Sequence, residues 1–214
     1  MFLFNLYRTI RFVNYSIYNT MTNIFTKFMF KLNRIKYSPE GFFSKGKPNI
    51  SIHHTAKVTI GKNFKINNTI MSNPIGGKEK CLLIVRENST LVIGNNVGMS
   101  GTTIVAQKEI IIEDNVKIGG NVRIYDTDFH SLEADKRKIA NRDKEHTVKK
   151  RVLLRKNSFI GAHTTILKGV EVGENSIIGA CSVIAKDIPK NEVWAGNPAR
   201  FIKKIDQPIN GKSI

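Results

Sequence analysis

The sequence predicts a mainly β fold, a solenoid of parallel three-sided coils with a helical segment in front of it. Three observations carry this. Aliphatic residues recur every six positions, as at Leu154, Ile160, Ile166, Val172, Ile178 and Ile184. Four positions after each stands a small or aliphatic residue: Ser158, Thr164, Val170, Ser176, Ser182 and Ile188. Before residue 49 the pattern changes to apolar residues at steps of three and four. A period of six fits neither the 3.6-residue face of a helix nor the alternation of an ordinary strand. It fits a coil of three short strands, about 18 residues per turn, in which inward side chains stack on those of adjacent turns.

In chain order, residues 1–48 come first. Of 18 aromatic residues in the chain, 12 lie in the first 43. Leu3, Leu6, Ile10, Val13, Ile17, Met21, Ile24, Phe28, Leu32 and Ile35 mark one face of a helix, or of two in succession. Arg8, Arg11, Lys27, Lys31, Arg34 and Lys36 interrupt it. No uncharged apolar run approaches the roughly 18 residues of a membrane span, and no signal-peptide cleavage pattern is evident. Two readings stand. The segment packs on the main domain or a neighbouring subunit, or residues 1–36 lie on an anionic membrane surface. Pro39, Gly41, Gly46 and Pro48 then read as a linker.

The solenoid domain is expected over 49–205. Ile60 and Ile66 open the series, with Phe64 and Ile70 four positions on. Ile93, Met99 and Val105 follow, then Ile112, Ile118 and Ile124. The step from 105 to 112 is seven, so one corner carries an extra residue. Asn63, Asn96, Asn115, Asn157 and Asn175 suit corners that need left-handed backbone. The repeat breaks after Ile124 and resumes near Val152, leaving a loop over 126–152. Pro189 and Pro198 stop strand addition at the far end. Phe201-Ile202-Lys203-Lys204 reads as the start of a short closing helix, and 206–214 as a tail.

The interruptions carry the chemistry. The break opens with Tyr125-Asp126-Thr127-Asp128-Phe129-His130-Ser131, and the late coils hold Ile160-Gly161-Ala162, the run from Ile178 through Gly179, Ala180, Ala185 and Lys186 to Pro189, and Ala195-Gly196-Asn197-Pro198-Ala199-Arg200. Together with the period, these segments resemble the hexapeptide-repeat acyltransferases, in particular the sugar O-acetyltransferase branch with its galactoside, maltose and colanic-acid members. The resemblance covers about residues 50–205. It implies a left-handed parallel β-helix, acetyl-CoA as co-substrate, no metal, and a homotrimer with the donor lying between subunits. The implied acceptor is a sugar or surface-polysaccharide precursor. Two cysteines in no disulfide pattern point to a reducing, cytoplasmic compartment, with peripheral attachment at the inner face of the membrane as the alternative.

By the same resemblance, His130 is the general base. Acetyl transfer from a thioester to an alcohol needs the hydroxyl proton removed as the oxygen attacks; imidazole titrates near pH 6.5, and a positioned one contributes about 10²–10⁴-fold. If 126–130 are extended, Asp126, Asp128 and His130 share one face. One aspartate could then orient the ring and the other bind the acceptor, or either could merely close the turn. Ser100 is a further acceptor candidate, or else a small corner residue. Gly161, Ala162, Gly179, Ala180, Ala185, Lys186, Asn197 and Arg200 are implied at the donor, the two cations meeting its phosphates. Three positions depart from the family string: Phe159, Cys181 and Ala185, where Trp, Gly and Thr are common.

Composition excludes other classes. Cys81 and Cys181 make neither a disulfide scaffold nor a metal spacing. His53, His54, His146 and His163 offer no His-x4-His pair for the zinc site of the anhydrases that share this fold. No nucleic-acid motif accompanies the net charge of +17. That charge is local. Residues 1–48 hold eight Lys/Arg and one Glu, and residues 135–156 hold ten Lys/Arg and three acids, each block a net +7. The second could gather a phosphorylated acceptor or the donor phosphates, or be a solvated loop. Competing functions are a streptogramin-type antibiotic or amino-sugar N-acetyltransferase, and a non-enzymatic scaffold binding polyanions or membrane.

Overall fold

The structure, a computed structural model, describes residues 1–73, 75 and 77–205; the expected tail over 206–214 lies outside them. Among the described residues, twenty strands form three sheets of six, eight and six. They are the three faces of one prism, named A, B and C in the order the chain visits them. In one full coil, Thr90–Ile93 lies on A, Gly98–Ser100 on B and Thr103–Ala106 on C. Neighbours along each face pair in parallel, except for the final antiparallel pair.

Register puts like on like. Face A stacks Ile60, Ile93, Ile112, Leu154 and Val172. Face B stacks Ile66, Met99, Ile118, Ile160, Ile178 and Trp194. Face C stacks Leu83, Ile104, Ile124, Ile166 and Ile184. All but Trp194 are essentially closed to solvent, and each aliphatic side chain so buried contributes about 1.5–3 kcal/mol. The small residues four positions on are buried too. One position corrects the periodic reading. Ile104 and Ala106 point inward, while Val105 is outside the core and pairs with Tyr125. The step from Met99 to Ile104 is therefore five, one residue short, at a corner where Gly101 takes φ +54°, and the step from Ile104 to Ile112 is eight, so the extra residues sit at the C–A edge. Ile70, expected inward, is exposed in a short 3-10 turn.

Each expected asparagine is left-handed, with φ from +56° to +62° at Asn63, Asn96, Asn115, Asn157 and Asn175. Their side chains also bond one another. From Asn63 to Asn191, each amide Nδ2 donates to the Oδ1 of the next coil at 2.8–3.0 Å. Asparagine tolerates this backbone and supplies both a donor and an acceptor.

The solenoid begins earlier than expected. Lys36–Tyr37 pairs with Lys57–Ile60, and Phe43–Lys45 with Lys65–Asn67, so the anticipated linker is the first coil. Helix α1 (Phe2–Leu32) caps it. Phe30 is fully buried, its ring 5.3 Å from Tyr37 and 5.2 Å from Phe42. The other end closes differently from the expected helix. Glu192–Gly196 is the last parallel strand of face B, and Ala199–Lys204 returns antiparallel beside it. An open sheet edge offers Phe201–Lys204 a full ladder of backbone partners, more than a helix too short to propagate could supply. Trp194 and Phe201 pack edge to face across this pair, 6.2 Å apart.

Candidate active site

The loop leaves the prism at the edge between faces C and A. Its two stems pair: Thr127 bridges Lys149 antiparallel, and Asp128 N–H donates to Val148 O. Beyond them lie two short helices, α2 (Ala134–Arg137) and α3 (Ala140–His146).

The three residues expected on one face part company. Asp126 is fully buried and accepts three backbone N–H bonds, from Gln107, Lys108 and Glu109, at 2.7–2.8 Å. Burial pushes its carboxyl above the usual range, against the pull of those donors. It ties the loop to the preceding coil and does not reach His130. Asp128 pairs with Lys168 at 2.7 Å and braces the loop base. Phe129 takes φ +65°, which breaks the alternation that would have aligned positions 126, 128 and 130. Its ring stands edge-on to Tyr125 at 5.2 Å.

The partner of His130 is Asp143, in the first turn of α3. Nδ1 lies 2.7 Å from Asp143 Oδ2, and the other oxygen accepts Ser131 N–H. The His130 side chain is 68% exposed and that of Asp143 is 15% exposed. The His130 hydrogen bond, with the Ser131 N–H second, holds the Asp143 carboxyl below its ordinary range. A carboxylate on Nδ1 fixes a proton there and leaves the lone pair on Nε2. That nitrogen has no hydrogen-bond partner among the described residues. Sequence reasoning missed Asp143: it is 13 residues away, one acid inside a Lys/Arg-rich run, with no spacing to mark it. Beside the pair lies a groove of about 530 Å³ whose lining includes Arg86, Gln107, Phe129, Asp143, Lys144 and Lys149.

The other candidates fall on two different edges. Ser100 stands at the B–C edge, where its hydroxyl accepts from Asn67 Nδ2 at 3.0 Å. A whole strand of face C separates it from the edge that bears His130. Gly161, Ala162, Gly179 and Ala180 share the B–C edge. The two glycines have a reason inside the fold, since a Cβ on Gly161 would sit 2.5 Å from Ala180 N, and one on Gly179 would sit 2.7 Å from Ala195 Cβ. Ala185, Lys186 and Arg200 line a cavity of about 190 Å³ with Pro198. Lys186 Nζ lies 5.0 Å over the Trp194 ring, and both cations are exposed, as groups meeting a solvated phosphate must be. Asn197 occupies the turn between the last two strands, in a cis bond to Pro198. One chain thus supplies two clusters, not one closed site. Cys81 is buried, its thiol pushed up to about 12, and so is inert as a nucleophile. Among the described residues no three His, Cys, Asp or Glu side chains gather as metal ligands.

Comparison with known proteins agrees with this architecture. Residues 151–186 match the family described as bacterial transferase hexapeptide (six repeats). Over those residues the chain is similar to that family, and the solenoid that contains them is a left-handed parallel β-helix. Among relatives, the Saccharomyces cerevisiae protein named "Putative acetyltransferase YJL218W" is 36% identical over 120 residues, 56% of this chain and 58% of that protein. The chain thus spans under two thirds of that relative. The hexapeptide-repeat acetyltransferase VCA0836 of Vibrio cholerae is 27% identical, with a TM-score of 0.50 over 55% of this chain and 64% of its own. AntD, an N-acyltransferase of Bacillus cereus solved with dTDP and coenzyme A, shares the fold at a TM-score of 0.65 and 21% identity, over 85% and 89% of the two chains.

Proposed function

We propose that this protein transfers an acetyl group from acetyl-CoA directly to a hydroxyl of a sugar or surface-polysaccharide precursor. One observation carries the reading: an exposed imidazole at the root of the solenoid's long loop, with Nδ1 committed to a carboxylate and Nε2 without a partner among the described residues, next to a groove lined by Phe129 and Asp143. Nε2 takes the acceptor proton as the oxygen attacks the thioester carbonyl. The tetrahedral intermediate collapses, and the proton passes to the departing thiolate. Asp143 touches neither substrate in this scheme; it holds the ring in the right tautomer. The relatives named as acetyltransferases support the donor, and the cations at Lys186 and Arg200 support a phosphate-bearing one.

The split between two edges supports a homotrimer. Prisms packed side by side bring the B–C edge of one copy towards the C–A edge of its neighbour. Ser100 and the Gly161–Ala180 cluster would then complete the site of a second subunit.

The test is thiol release from acetyl-CoA by the full chain against a panel of sugars, amino sugars and a streptogramin, with the product's linkage determined. Release with a hydroxyl acceptor, giving an ester, is expected. An amide product would reassign the chain to N-acetylation. Failure to bind acetyl-CoA would leave the scaffold reading.

A further inference from the structure

Helix α1 is amphipathic the wrong way round for a helix serving only its own domain. The side that meets the solenoid is polar. Thr26 Oγ1 donates to Ser44 Oγ at 3.0 Å, Asn23 Oδ1 accepts Ser44 N–H at 3.0 Å, and Thr22 Oγ1 accepts Gly46 N–H at 3.1 Å. Asn19, Thr22 and Thr26 are buried, and among the described side chains of α1 Phe30 is the one large apolar side chain that is. The opposite side carries Leu3, Leu6, Ile10, Ile17, Ile24 and Phe28 at steps of three, four and seven, all exposed. The polar bonds fix which side faces the domain, so this stripe cannot roll inward.

Charge says what covers it. No Asp or Glu occurs before Glu40, whereas Arg8, Arg11, Lys27 and Lys31 lie along the helix. A second copy laid on the same stripe would bring cations together with no acid on the helix to pair them, whereas coiled partners match opposite signs at their flanks. Among the described residues no helix is long and apolar enough to cross a membrane. An apolar stripe flanked by Lys27 and Lys31, on a helix whose exposed first half also carries Arg8, Arg11 and large aromatics, is the chemistry of a helix lying in the headgroup region of an anionic bilayer. We propose that α1 docks this protein on an anionic lipid surface through its outward stripe, with the solenoid held on the aqueous side.

The test is flotation of the full chain with vesicles of phosphatidylglycerol and phosphatidylcholine, beside pure phosphatidylcholine, at low and high salt. Ile10→Asp/Ile17→Asp removes the stripe. Arg8→Glu/Arg11→Glu reverses charge within residues 1–14, all those whose side chains are described being exposed; it removes the 3.8 Å contact of Arg11 with Met71 Sδ but none of the bonds through which Thr22, Asn23 and Thr26 dock α1. Light scattering without vesicles reports the oligomer. The expected result is salt-sensitive binding to the anionic vesicles alone, weakened at least tenfold in both variants. No binding, or equal binding to neutral vesicles, overturns the proposal. So does loss of oligomer mass in Ile10→Asp/Ile17→Asp without vesicle binding in the parent, which would make a second copy the occupant. None of these readouts depends on acetyl transfer.

Discussion

His130 meets the Asp143 carboxylate with one ring nitrogen, and the other has no hydrogen-bond partner among the described residues. Asp143→Asn keeps shape and removes charge. The amide can turn its N–H₂ towards Nδ1, stabilising the tautomer with the proton on Nε2, where the base must be free. We expect kcat to fall about ten- to a hundredfold, less than in buried triads because this pair is open to water, with KM for both substrates nearly unchanged. An equal loss in KM, or a collapsed loop by proteolysis, would assign Asp143 a structural role. The pair also carries a pH sign. Its carboxyl is depressed in the folded protein, so its contribution is present above the unfolded carboxylate pKa, near 3.9, and is lost as pH falls through the lower folded value. His130 was legible in the sequence because it stands where the six-residue period stops. Asp143 was not, because its position comes from how 13 irregular residues fold back. Asp126 and Asp128 looked like site residues on an assumption of extended chain that Phe129 violates.

At the scale of elements, the ladder from Asn63 to Asn191 does two jobs with one residue type. It admits left-handed backbone at the A–B edge and bonds each coil to the next. Asn115→Ala loses both, and should cost about 1–3 kcal/mol of stability by denaturant unfolding. Asn115→Gly recovers the backbone but not the bonds, and should fall between. An alanine variant as stable as the parent would refute this role. The corners and stacked aliphatics were legible because both recur at fixed spacing. The inward position was assigned to Val105 and not Ile104 because both are β-branched, so composition could not choose between them. Only the pairing of Ile104 with Leu83 and Ile124 does. The first coil was missed because its strands are two and three residues long and hold Pro39 and Gly41 between them. The closing strand was mistaken for a helix because its partner, Glu192–Gly196, is set by the coil and not by Phe201–Lys204 itself.

For the whole molecule, the excess charge resolves into two blocks with different neighbours. One accompanies a helix whose apolar side faces away from the domain. The other belongs to the loop that carries Asp143 and borders the groove beside His130 through Lys144 and Lys149. The candidate site was legible as a set of motifs but not as a place, because its parts lie on two edges of one prism. In the proposed reaction this loop's imidazole drives acetyl transfer. The most direct measurement is the initial rate of thiol release from acetyl-CoA, with whichever acceptor supports turnover, for the parent and for folded His130→Ala that still binds acetyl-CoA. The account predicts a fall of about 10²–10⁴-fold. Turnover undiminished by the substitution would contradict it.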